Sequence, residues 1–214
     1  MPVVKIHRIN EGQSFGLWKL EESEEELLYA MRQDPIMELP SPDISNEIKR
    51  KEHMAGRLIL KALVEENDLC YEGIYKDEVG KPHLNKHPHH ISLTHSFPWV
   101  GAIISLNEPV GIDLEQPKEK LKKIAYKFLN DAELKSVGDD VEKLCIYWCA
   151  KEALYKLLGK KGIIFKLNLS LDSFEIKDET LIVGNVIVND IHDCYSMKAV
   201  KINNTFLVYS INKF

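Results

Sequence analysis

Two stretches decide how this chain reads: Gly111-Ile112-Asp113-Leu114-Glu115, and further along Trp148-Cys149-Ala150-Lys151-Glu152-Ala153-Leu154-Tyr155-Lys156. In the first, Val110, Ile112 and Leu114 alternate with Gly111, Asp113 and Glu115. That is the period of a strand, and it puts both carboxylates and the glycine on one face. The second is helical in character, with Glu152 and Lys156 four residues apart on a shared face. Brought together, Asp113, Glu115, Glu152 and Lys156 would suit a hard divalent cation that grips phosphate oxygens. The plainer reading of the same residues is a polar sheet edge and an ordinary surface Glu–Lys pair.

The 214 residues suffice for one large domain or two small ones. A composition of 44% hydrophobic and 29% charged residues supports a globular protein with a sizeable core. The formal net charge of -5 argues against a protein built around nonspecific nucleic-acid binding. No run approaches the length of a membrane-spanning helix, and the N-terminus lacks the apolar centre of a signal peptide, so a cytoplasmic location is expected. Cys70, Cys145, Cys149 and Cys194 show no metal-knuckle spacing, and reduced, mostly buried thiols are expected.

Taken in order, residues 3–9 and 14–20 read as strands joined at Asn10-Glu11-Gly12. The acidic run from Glu21 to Glu26 suits the positive end of a helix. Pro35, Pro40 and Pro42 mark a connecting segment before a long helix over 43–66. Its early turns carry Lys49, Arg50, Lys51, His53 and Arg57. Lys49 and Lys51 fit a solvated face, whereas Arg57 lies near the apolar section, where a guanidinium needs an anion or a carboxylate. His87, His89 and His90 occupy a polar loop without helical ligand spacing, a poor metal site. Strands are expected at 91–96 and 99–106, and helices at 118–128, 131–137 and 140–158. Five further strands follow, at 163–169, 173–177, 181–188, 194–201 and 205–211. Each half thus offers paired strands, helices and more strands, an α+β unit repeated as 1–105 and 106–214.

These residues resemble the signature of the 4'-phosphopantetheinyl transferases, in the larger, Sfp-like class. The family's G-[IV]-D-x-E segment is similar to Gly111–Glu115, and its W-x-x-K-E-x-x-x-K segment to Trp148–Lys156. Gly80-Lys81-Pro82-His83-Leu84 matches a G-K-P-x-L segment, and Thr94-His95-Ser96 stands where the family has S-H-S, a departure at the first residue. Arg57 best matches an arginine of the family's long N-terminal helix. Phe128 to Glu133 resembles an F-x-x-x-E segment with one extra residue.

The resemblance implies a pseudo-twofold duplicated α+β fold with coenzyme A bound between two similar subdomains, the second carrying the metal motifs. It implies transfer of the 4'-phosphopantetheine arm of coenzyme A to a serine of an apo acyl, peptidyl or polyketide carrier protein, releasing adenosine 3',5'-bisphosphate. Asp113, Glu115 and Glu152 correspond to ligands of magnesium, with manganese as the alternative. Glu152 is also the first candidate for the base and Glu133 the second, while Lys156 reaches a phosphate oxygen. Arg57, Lys81, Thr94 and His95 correspond to groups that hold the phosphates of coenzyme A. Lys151 is given a phosphate or a loop to anchor. Lys49 and Arg50 are assigned either nucleotide phosphate or an acidic carrier surface. The apolar residues Leu121, Ile124, Ala125, Phe128 and Leu129 form the candidate docking face. The implied protein is a monomer that binds neither nucleic acid nor membrane. A noncatalytic coenzyme A or carrier-protein binding module and another magnesium-dependent phosphoryl-transfer enzyme are the competing accounts.

Overall fold

The longest element of the first half begins where Asn46 closes it: its side chain accepts a hydrogen bond from the Lys49 amide. Such a cap satisfies one of the orphan donors of a helix start. It therefore starts this helix at Glu47 rather than at residue 43, because Pro40 and Pro42 hold the preceding chain in extended and turn conformations. In the computed structural model, which describes residues 5–214, the chain divides into two units between Pro109 and Val110. Both are α+β, with antiparallel sheets and helices.

The first unit contains β1 (Lys5–Asn10), β2 (Gln13–Lys19), α1 (Glu24–Arg32), α2 (Glu47–Glu66), β3 (Ile74–Lys76), β4 (Pro82–Leu84), β5 (His90–Ser96) and β6 (Trp99–Ser105). The part of the expected first strand that precedes Lys5 lies outside the described residues. The main sheet has the order β1-β2-β6-β5, and β3 and β4 form a separate hairpin. Ser23 and Glu26 build a reciprocal cap at the start of α1, as the acidic run suggested. One face of α2, through Met54, Ile59, Leu60, Leu63 and Val64, fills the core against Trp18, Ile91, Val100 and Ala102. Gly56 sits on that face, where an added Cβ would meet Leu93 at an ordinary 3.5 Å.

The second unit runs β7 (Ile112–Glu115), α3 (Lys120–Phe128), α4 (Asp131–Val137), α5 (Val141–Leu158), α6 (Phe165–Asn168), β8 (Leu169–Leu171), β9 (Glu179–Val188), β10 (Ile191–Ile202) and β11 (Thr205–Lys213). Its sheet has the order β7-β11-β10-β9-β8. The expected strand at 163–169 is instead the short helix α6 followed by β8. Asn168 explains the departure, since its side-chain oxygen accepts the Ile164 amide at 2.7 Å and closes a turn there. The strand expected at 173–177 is also absent: those residues are irregular, and the Lys177 amide is bonded to the Thr180 hydroxyl instead of a ladder.

Helix α5 is apolar nearly all round, with Leu144, Cys145, Ile146, Tyr147, Cys149, Ala150, Ala153, Leu154 and Leu157 buried. It packs on the sheet face made by Met197, Ala199, Phe206 and Val208. All four cysteines are free thiols. Cys145 and Cys149 are buried, but Cys70 is exposed and Cys194 only half-buried, so the expectation of mostly buried thiols holds for two of the four. Among the described residues no helix is long and apolar enough to cross a membrane.

Candidate active site

The site in the second unit starts from a residue with no side chain. A Cβ on Gly111 would lie 1.9 Å from the Ala153 carbonyl oxygen and 3.1 Å from Leu157, so only glycine lets the chain entering β7 run directly under α5. Alternation then turns Asp113 and Glu115 toward the same side as Gly111, and hence toward α5. Lys156 leaves α5 a few residues beyond Ala153. Its ammonium donates to Asp113 Oδ1 at 2.7 Å and to the Ile112 carbonyl at 3.1 Å. The cation thus bridges helix to strand rather than pairing with Glu152 along the helix.

Glu152 lies within electrostatic reach of Asp113 and Lys156. Burial, reinforced by the Asp113 charge and only partly offset by Lys156, pushes its carboxyl up to about 7. It opens into a groove of about 360 Å³ whose other walls are Ile124, Lys127, Phe128, Trp148 and Phe165. Trp148 meets Phe128 edge-on with ring centroids 5.0 Å apart and Phe165 at 5.9 Å, which holds the apolar walls in place. Of the expected docking residues, Leu121, Ala125, Phe128 and Leu129 are buried as core, and Ile124 remains partly open.

Glu115 is held by its own neighbours. Its Oε1 accepts from Lys118 at 2.8 Å and from the Gln116 amide at 3.0 Å. Its carboxyl lies below the usual range because these hydrogen bonds together outweigh burial, which is the largest single influence and acts upward. Among the described residues no three His, Cys, Asp or Glu side chains are grouped as a ready-made metal cluster. The donor chemistry still fits a hard divalent cation. Asp113 and Glu152 are adjacent carboxylates whose mutual repulsion is incompletely met by one lysine, and carboxylate oxygens are what magnesium prefers.

Two expected site residues sit elsewhere. Lys151 is 0% exposed and Glu133 3% exposed. The ammonium donates to Glu133 Oε2 at 2.6 Å and to the Phe128 carbonyl at 2.7 Å. Glu133 Oε2 also accepts the Asn130 amide, its Oε1 accepts the Leu171 amide at 2.9 Å, and Asn130 Oδ1 accepts the Glu133 amide. The structure brings Lys151 and Glu133 to each other. They tie α5 to the α3–α4 junction and to β8.

In the first unit, Arg57 is buried on α2 with its nearest carboxylate, Glu38, at 3.9 Å. Arg57 Nε and His53 Nε2 are both buried without a hydrogen-bond partner. Burial and the Arg57 charge hold the His53 imidazole below its ordinary value, and burial lowers Lys81 in the β3–β4 hairpin. The unmet Arg57 N–H is costly to bury, and an anion would satisfy it; the His53 nitrogen would join as a donor once protonated. His53 was not singled out from sequence, although its spacing of four from Arg57 puts both on one helix face. Thr94 and His95 are successive residues of β5 and so face opposite ways. Thr94 is buried, and His95 is exposed with Nδ1 3.1 Å from Glu52 Oε2. Arg50 is tied to the Glu24 carboxylate at 2.6 and 2.7 Å, an ion pair between α1 and α2.

Comparison with known proteins supports the same region. A family model described as the 4'-phosphopantetheinyl transferase superfamily matches residues 109–208. Over 118 residues the chain is 35% identical to the 4'-phosphopantetheinyl transferase gsp of Aneurinibacillus migulanus, covering 52% of this chain and 48% of that protein. Over 106 residues it is 31% identical to the 4'-phosphopantetheinyl transferase Sfp of Bacillus subtilis strain 168, covering 47% and 45%. The chain spans about half the length of the curated relatives it matches. The match to the 4'-phosphopantetheinyl transferase superfamily thus covers almost all of the second unit.

Proposed function

We propose that this chain transfers the 4'-phosphopantetheine arm of coenzyme A to a serine hydroxyl of an apo acyl, peptidyl or polyketide carrier protein, with adenosine 3',5'-bisphosphate as the other product. One observation carries this reading: Glu152 stands in an apolar-walled groove beside Asp113, whose carboxylate is bonded to Lys156. The Glu152 carboxylate would lose basicity on holding a magnesium ion, so the proton of an attacking alcohol would reach it through an intervening water. Lys156, anchored by Asp113 and the Ile112 carbonyl, offers a fixed positive charge to a diphosphate oxygen. The apolar walls of the groove offer a surface for the carrier protein around its serine.

Asp113, Glu115 and Glu152 would hold a magnesium ion, which when bound supplies the charge that offsets the diphosphate. Arg57, His53 and Lys81 are assigned the phosphates of coenzyme A, because the orphaned guanidinium nitrogen on α2 calls for an anion and a protonated His53, one turn earlier, would add a second donor. We read the two units as a duplication. In both, the strand that precedes the helices pairs with the last strand, which pairs in turn with the one before it: β2-β6-β5 and β7-β11-β10.

The test is incubation with coenzyme A, magnesium and a panel of apo carrier proteins, followed by mass spectrometry of the carrier serine. Serine-linked phosphopantetheine on at least one carrier is the expected result. Coenzyme A binding without product on any of them would instead identify a binding module.

A further inference from the structure

The solvent-facing side of the second unit's sheet carries a cluster that phosphopantetheine transfer does not use. Along β10 the side chains of Tyr195, Met197 and Ala199 enter the core, which leaves His192, Cys194 and Ser196 on the outer face. The register sets Cys194 directly across from Asn185 on β9 and His192 across from Ile187, so Asn185 is also the diagonal neighbour of His192. The three side chains converge. His192 Nε2 is 3.0 Å and Cys194 Sγ 3.3 Å from Asn185 Oδ1, and sulfur and ring nitrogen are 3.6 Å apart. Asn185 Nδ2 donates to Asp172 Oδ1 at 2.9 Å, which turns the amide oxygen toward the other two groups.

We propose that Cys194, His192 and Asn185 form a three-ligand site for a soft divalent cation of the zinc type, with its fourth position open to water. Zinc–sulfur and zinc–nitrogen bonds of about 2.3 and 2.05 Å at a tetrahedral angle set the two ligand atoms about 3.6 Å apart, the separation seen here. Asp172 plays the outer carboxylate that orients a ligand. Binding expels one proton, from the Cys194 thiol, as the metal–sulfur bond forms. His192 Nε2 donates to the Asn185 oxygen in the metal-free site, so binding through Nε2 moves the ring proton to Nδ1, and no change of oxidation state is involved. The site lies on a different face from the groove and does not depend on the reaction assigned to Glu152.

Titration of the purified chain with Co²⁺, a spectroscopic stand-in for Zn²⁺, tests the proposal. A near-ultraviolet sulfur-to-cobalt band and intense visible bands of four-coordinate cobalt are expected, both abolished by added Zn²⁺. Cys194→Ser removes the near-ultraviolet band, while Cys70→Ser, which alters the exposed thiol, leaves it intact. Asp172→Ala weakens binding about 10- to 100-fold, and Asn185→Asp strengthens it by adding a charge. Absence of the sulfur band, or its persistence in Cys194→Ser, overturns the site.

Discussion

Two pairs of enclosed polar side chains, one in each unit, are treated in opposite ways. In the second, Lys151 and Glu133 are closed off from water, yet every oxygen of that carboxylate has a donor and the ammonium has two acceptors. In the first, Arg57 Nε and the Nε2 of half-buried His53 are enclosed with no hydrogen-bond partner. A satisfied buried ion pair specifies architecture, whereas an unsatisfied one specifies a missing partner. Sequence treats these residues alike, since all are polar side chains on largely apolar helices. Only the surrounding backbone separates a lysine that braces the fold from an arginine that waits for phosphate.

The glycines repeat the contrast and give the largest expected effect. Gly111→Ala drives a methyl into the Ala153 carbonyl, backbone against backbone, and is expected to cost more than about 4 kcal/mol. Denaturant melts should show an unfolded or barely stable protein. Next, Lys151→Met strands the Glu133 carboxylate and should lower stability by about 3–5 kcal/mol. The double variant Lys151→Met with Glu133→Leu should recover much of that loss, which a role in binding phosphate would not predict. Arg57→Gln removes an unmet donor, so its melting temperature should barely change. It should weaken coenzyme A about 10- to 100-fold by calorimetry, the worth of a hydrogen bond to a charged group. If Arg57→Gln destabilises the protein as strongly as Lys151→Met does, the contrast between the units fails. The smallest effect is at Gly56, where an added Cβ makes only ordinary van der Waals contact. Gly56→Ala should raise stability by about 0.5–1 kcal/mol through helix propensity alone.

Much of the fold was legible because period and punctuation agree. The helix over 131–137 matches α4 to the residue, since Asn130 and Glu133 form the reciprocal cap that their spacing announces. The helix over 140–158 differs only in that Asp140 is the cap. Legibility failed where a side chain competed for the backbone, as Asn168 does before β8. At the site, Asp113, Glu152 and Lys156 could be named from the two motifs, and the structure brings them together. Glu115 could be named too, but its pairing with Lys118 depends on the turn after β7. The apolar walls at Trp148 and Phe165 join residues from α5 and α6, a pairing that no local pattern encodes. The role of Gly111 depends on how closely α5 crosses it, which is likewise a property of packing.

The central claim is that Glu152 takes the serine proton in the groove, and Glu152→Gln tests it most directly. The substitution keeps the size of the side chain and removes its basicity. Single-turnover transfer from coenzyme A to a carrier protein should slow by about 10²- to 10⁴-fold, with coenzyme A still bound and the melting temperature not lowered. Transfer at the unaltered rate would contradict the account.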